Sequence, residues 1–160
     1  NHGLKLPRAL QQDFSQYVQQ ETDSHGKEMT HNALWQLFRS RYGLLAQPTL
    51  ALLDYQSDGQ QDGELTLQAA LRMNGETRRL NGRGNGLLSA AANGLSALLK
   101  RHFVIKDYHE HTLGARSDSR SVAYIRCVFA NGESRWGVGI DNDVARASLQ
   151  ALCNAVHARD

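Results

Sequence analysis

Apolar and polar residues change their spacing along this chain, and each change marks a different kind of element. In "LPRALQQDFSQYVQQ", Leu10, Phe14 and Val18 recur at four-residue steps behind Pro7, a residue suited to a first helical turn, so the stretch predicts an amphipathic helix. A polar loop, "ETDSHGKEM", leads to "THNALWQLFRSRYG". There Thr30 or Asn32 can cap, Leu34, Leu37, Phe38 and Arg41 keep helical spacing, and Gly43 ends the run. Pro48 and a new period then place a boundary near residue 46, so residues 1–46 read as a helical arm.

Beyond it the period becomes two. Leu65, Leu67, Ala69, Leu71 and Met73 alternate with polar residues up to Asn74-Gly75, a strong hairpin signal. The same grammar returns in "SVAYIRCVFA", Asn131-Gly132, "ESRWGVGI" and an Ala-rich helix from about Asn142 to His157. Without a gap, Asn74, Gly75 and Glu76 fall on Asn131, Gly132 and Glu133, Gly82 on Gly139, Ala90 on Ala147, and Leu95 on Leu152, a constant separation of 57 positions. With first strands near Leu50 to Tyr55 and Phe103 to Leu113, each unit reads strand, strand, strand, helix. One such unit cannot bury a sheet face alone, so units 47–101 and 102–160 are expected to share a core as one pseudo-twofold domain, 47–160, of the α+β class.

Composition narrows the partners. Of 160 residues 41% are hydrophobic, enough for one good core with a small appendage. Eighteen Lys and Arg against 16 Asp and Glu leave a net charge of +2 with the basic residues scattered, which gives no footprint for nucleic acid. There is neither a bilayer-spanning apolar run nor a signal peptide, so no membrane partner and a cytoplasmic location are expected. Cys127 and Cys153 lack metal or disulfide spacing and read as buried free thiols.

Three stretches could carry chemistry. "GRGNG" opens the first Ala-rich helix but has neither the Lys-Ser/Thr of a phosphate loop nor dinucleotide spacing. In "DYHEH", a strand would put Asp107, His109 and His111 on one face, which suits either a divalent metal or a solvated strand end, with Tyr108 and Glu110 opposite. Asp141 and Asp143 precede the second helix as caps, whereas the equivalent turn of the first unit holds Asn85 and Gly86 and no carboxylate. A helix start left open in this way can take the carboxylate of a ligand, and an amino acid with an apolar side chain fits such a turn beside an apolar wall; a tight glycine turn filled by water is the alternative.

The motifs "LPRALQQDFSQYVQ", "ALWQLFRSRY", "GRGNGLLSAAANGL", "DYHEHTLGA" and "WGVGIDNDVARASLQALCNAV" together resemble the C-terminal part of long-form 2-isopropylmalate synthases. The resemblance implies a helical subdomain followed by a regulatory domain that dimerises and binds L-leucine as feedback inhibitor of leucine biosynthesis. It implies a catalytic barrel elsewhere in the parent enzyme, holding a divalent metal such as Mg or Mn and joining acetyl-CoA to 2-oxoisovalerate. This chain contains none of that barrel, so no cofactor, metal or catalytic residue is expected within it. Carried over residue by residue, the resemblance implies that the leucine carboxylate sits at Gly84, Asn85 and Gly86, flanked by Leu88 and Ser89, with Tyr108, Thr112 and Ile140 lining the side-chain pocket. Leu87 stands where the family commonly has proline. The competing expectations are an isoleucine-sensing regulatory domain of a citramalate synthase and a dimerisation module without a ligand.

Overall fold

A computed structural model describes residues 2–114 and 119–157. Two helices come first, α1 (Arg8–His25) and α2 (His31–Tyr42). The first unit follows as β1 (Leu50–Gly59), β2 (Leu65–Met73), β3 (Glu76–Gly84) and α3 (Leu87–Leu99), and the second as β4 (Phe103–Leu113), β5 (Arg120–Phe129), β6 (Ser134–Asp141) and α4 (Val144–Val156). The expected α+β arrangement of two strand-strand-strand-helix units is therefore present. Each unit forms its own antiparallel sheet, in the order β1-β2-β3 and β4-β5-β6.

Local chemistry explains the ends of the helices. Pro7 occupies the position before α1, its carbonyl accepting from Gln11 N, and Gly26 closes that helix with φ 69°. Of the two cap candidates for α2, Thr30 is the one used, its Oγ1 accepting from Ala33 N at 3.1 Å, and Gly43 ends the helix at φ 87°. The Ala-rich helix of the second unit, α4, begins at Val144 rather than Asn142, because Asp143 is its cap.

The two sheets share one core. Leu67, Ala69, Leu71 and Leu80 of the first sheet, Ala123, Ile125 and Cys127 of the second, and the inward faces of α3 and α4 form a single buried cluster. Gly82 and Gly139, paired by the repeat, make the same contact: a Cβ on either would run into the carbonyl of Ala90 or Ala147, themselves a repeat pair. Both helices thus lie directly on strand backbone.

Among the described residues, a second core cluster covers the other face of the second sheet and not that of the first. Val122, Tyr124, Trp136 and Val138 point away from α4 into a second cluster with Leu10, Phe38 and Tyr42, so the helical pair packs directly on that sheet. Within the pair, Phe14 meets Phe38 edge-on at 5.2 Å and Tyr42 donates to Asp13 Oδ2 at 2.6 Å. Burial, followed by the Asp13 bond, pushes the Tyr42 phenol far above its ordinary pKa.

The two Asn-Gly turns differ. Asn74 and Gly75, with φ 53° and 82°, form a two-residue loop that pairs Met73 with Glu76. At the second turn positive φ falls on Gly132 alone, Phe129 N donates to Glu133 O, and Asn131 Oδ1 accepts from Glu133 N, so three residues intervene. Consequently Arg78 faces Leu71 but its repeat partner Arg135 faces Cys127, and β5 is displaced by one residue from the register the ungapped overlay implies.

Candidate functional site

The starts of α3 and α4 hold the sharpest local difference between the units. At α4, Asp143 Oδ1 accepts from Ala145 N at 3.0 Å, Asp141 Oδ1 accepts from Asp143 N at 2.9 Å, and Tyr55 of the first unit donates its hydroxyl to Asp143 Oδ2 at 3.0 Å. A carboxylate is thus held between a helix amide and a phenol from the opposite sheet. Burial, then the bond to Asp143, raises the Tyr55 pKa.

At α3 the cap is Gly86, in extended backbone at φ −172°, with no side-chain cap bond. A Cβ built there meets nothing within 4 Å, so the space is open. Gly84 is the opposite case: its Cβ would stand 2.5 Å from Ser89 Oγ and 2.7 Å from Ala90 N, so this glycine lets β3 run against the helix start. Asn85 between them is exposed, while Leu88 packs at the margin of the main core. The turn residues Gly84, Asn85, Gly86, Leu88 and Ser89 are therefore one local surface.

Tyr108 and Thr112 come from β4, where a bulge between Ile105 and Asp107 sets the alternation that follows. Tyr108 is half-exposed, its hydroxyl 2.8 Å from Ser148 Oγ on α4 and hydrogen-bonded to Glu110. Burial first, and Glu110 second, raise its pKa. Thr112 is exposed, opposite Ser121. Ile140 lies on the other face of the same sheet, against the helical pair, beside Leu4, Trp35 and Leu113 in a groove of about 360 Å³. Within one chain it does not stand with Tyr108.

Two partners escaped the sequence reading. Tyr55 and Tyr108 are structural equivalents, since β1 carries the same bulge between Leu52 and Asp54 that β4 carries after Ile105. The signal was present as the twice-used Asp-Tyr pair, Asp54-Tyr55 and Asp107-Tyr108. Ser148 had no such signal, because only packing brings it to Tyr108.

The histidine-bearing face of β4 is engaged by other side chains. Asp107 pairs with Arg126, and His111 Nε2 lies 2.7 Å from the Tyr124 hydroxyl. Among the described residues no group of three or more His, Cys, Asp or Glu side chains is placed to hold a metal ion. Burial pushes the thiols of Cys127 and Cys153 up to about 12, which leaves both unreactive near neutral pH. No described helix is long and apolar enough to cross a membrane.

Comparison with known proteins gives this geometry a context. A family model described as the LeuA allosteric (dimerisation) domain matches residues 28–159. A 2-isopropylmalate synthase of Marinomonas sp. is 42% identical over 159 residues, covering 98% of this chain and 28% of the relative. Those of Thermobifida fusca and Rhodospirillum rubrum are each 36% identical, covering 98% and 100% of this chain and 27% and 29% of their own lengths. The chain therefore spans less than a third of these relatives.

Proposed function

Since the chain belongs to the LeuA allosteric (dimerisation) domain family, we propose that it is the leucine-sensing, dimer-forming part of a longer 2-isopropylmalate synthase. In that reading the parent enzyme condenses acetyl-CoA with 2-oxoisovalerate on a barrel with a divalent metal, and this chain, lacking that barrel, does no chemistry itself. Leucine inhibits from a distance by favouring one arrangement of the helical subdomain and barrel over another.

The observation that carries the reading is the contrast between helix starts. At α4 a carboxylate from the chain itself sits on Ala145 N and receives a hydrogen bond from Tyr55. At α3 the corresponding residues are Gly86 and the Leu88 amide, with open space in front of Gly86, while Tyr108, the counterpart of Tyr55, bonds Ser148 and Glu110 and would turn to the carboxylate when leucine binds. The carboxylate of leucine supplies the missing group at Gly84, Asn85 and Gly86, with Leu88, Ser89, Tyr108 and Thr112 around it. Ile140 would join that pocket only through a second copy, which fits a site completed across a homodimer.

Calorimetric titration of the chain with leucine, isoleucine and valine tests this. One leucine per chain, bound more tightly than the other two, supports the reading. Tightest binding of isoleucine would instead favour a citramalate synthase regulator, and a folded dimer that binds none of them would favour a dimerisation module alone.

A further inference from the structure

Strand β4 has two working faces. On one, Tyr108, a residue of the proposed leucine site, reaches Ser148 of α4. On the other, His111 Nε2 lies 2.7 Å from the hydroxyl of Tyr124, whose side chain is fully buried. Into this pair comes the backbone of the N-terminal segment: Lys5 N lies 3.2 Å from both Tyr124 Oη and His111 Nε2, while the flanking Leu4 and Leu6 pack into the second cluster.

One proton arrangement satisfies the whole joint. Nδ1–H of His111 donates to Thr112 O, at 3.2 Å, the Tyr124 hydroxyl donates to Nε2, and Lys5 N–H donates to the Tyr124 oxygen. Thr112 belongs to the proposed leucine site, so the chain of bonds runs from that site to the residues leading into α1. Burial holds the Tyr124 phenol up at about 12, so the hydroxyl stays protonated and able to donate. A buried hydroxyl stripped of its partners is strongly disfavoured, which ties the position of β4 to that of the segment before α1.

The equivalent strand is fastened differently. Arg146 and Gln150 of α4 bond the backbone of β1 at Leu50, Leu52 and Leu53. Their repeat counterparts on α3 are Ser89 and Asn93, and Asn93 turns instead to Arg83 O of its own sheet. Strand β4 thus meets α4 through the Tyr108 hydroxyl and is secured on its far face at His111.

We propose that the joint of Lys5, Tyr124 and His111 is the coupling contact through which leucine at β4 acts on the helical subdomain, an inference that rests on the leucine reading above. Tyr124 and His111 are positioning residues and do not touch the effector.

The test is amide hydrogen exchange on the chain with and without leucine, in wild type, Tyr124→Phe and His111→Ala, beside calorimetry. In wild type, leucine should slow exchange in residues 2–7 at least about fivefold, the lower end of ordinary coupling. Both variants should bind leucine close to wild type, yet residues 2–7 should no longer respond to it and should exchange at least about fivefold faster without it. A folded variant in which residues 2–7 respond to leucine as in wild type overturns the proposal. Unchanged ligand-free exchange in both variants overturns it as well. Absence of leucine binding in wild type would sink the effector reading on its own, and the ligand-free exchange would still decide whether the joint holds the segment to β4.

Discussion

The two units are built to one plan and finished differently, and the differences fall where strand meets helix. In the first unit Leu80 of β3 lies over Gly94 of α3: a Cβ on Gly94 would come within 2.7 Å of the Leu80 side chain. In the second unit the repeat partners are Gly137 and Ala151, and here the strand carries the glycine, pressed on the Ala151 carbonyl. Side-chain volume has moved from strand to helix while the helix keeps its seat. At the helix starts the same exchange was left incomplete. Asp143 caps α4 with Asp141 bonded to its amide, whereas Gly84, Asn85 and Gly86 add no carboxylate at α3. A repeat tolerates any swap that preserves packing, so a position where one unit gives up a stabilising group without replacement is where function is to be sought.

Making the units alike at their packing contact should have the largest effect. Leu80→Gly empties a buried site and should cost about 3–5 kcal/mol, the range for large-to-small core changes with the added flexibility of glycine. Gly94→Ala alone collides with Leu80 and should also destabilise. The double variant copies Gly137 and Ala151, and should recover about 1–3 kcal/mol relative to the sum of the singles. Chemical denaturation of all four proteins measures this, and strict additivity would show that the two contacts are not equivalent.

Making them alike at the helix start should separate stability from binding. Gly86→Asp has extended backbone and open space to accept it, so the carboxylate should cap α3 as Asp143 caps α4. Stability should rise by about 0.3–1 kcal/mol. Leucine affinity should fall at least about 30-fold, or roughly 2 kcal/mol, since the amides are then already occupied. A folded Gly86→Asp chain that binds leucine as before would remove the α3 turn from the site.

Much of this plan is written in local sequence. Four-residue spacing marked α1, alternation marked β2, and the identical positions of Gly82 and Gly139 gave the repeat. The contrast between Gly86 and Asp143 was equally plain, because a cap is a short-range device. What eluded reading depends on distance or on register. The Asn131-Gly132 turn spends three residues where Asn74-Gly75 spends two, and a dipeptide does not state which turn it will make. The face of Ile140 followed from a helical pair about a hundred residues away covering the second sheet. The bond from Tyr55 to Asp143 joins residues on different sheets, and His111 looked like half of a metal site until Tyr124 and Lys5 were beside it.

That cross-unit bond gives the smallest effect and the finest check on the comparison. Asp143→Ala removes the cap at Ala145 N together with the acceptor for Tyr55, and should cost about 1 kcal/mol. The Tyr55 pKa is raised first by burial and then by this carboxylate, so in the variant it should move down towards the ordinary phenol range. A phenol whose pKa is raised on folding contributes stability that is complete below its unfolded pKa and lost as pH rises through the folded one. Removing Asp143 should therefore make phenolate absorbance appear at lower pH, with the stability difference from wild type narrowing only on the alkaline side. Because Tyr55 is only partly buried at the edge of the main core, the change should be visible in an ultraviolet titration yet small in the unfolding midpoint. If the titration of Tyr55 is the same with and without Asp143, the phenol is not a carboxylate partner at α4, and Tyr108 loses its reason to be one at α3.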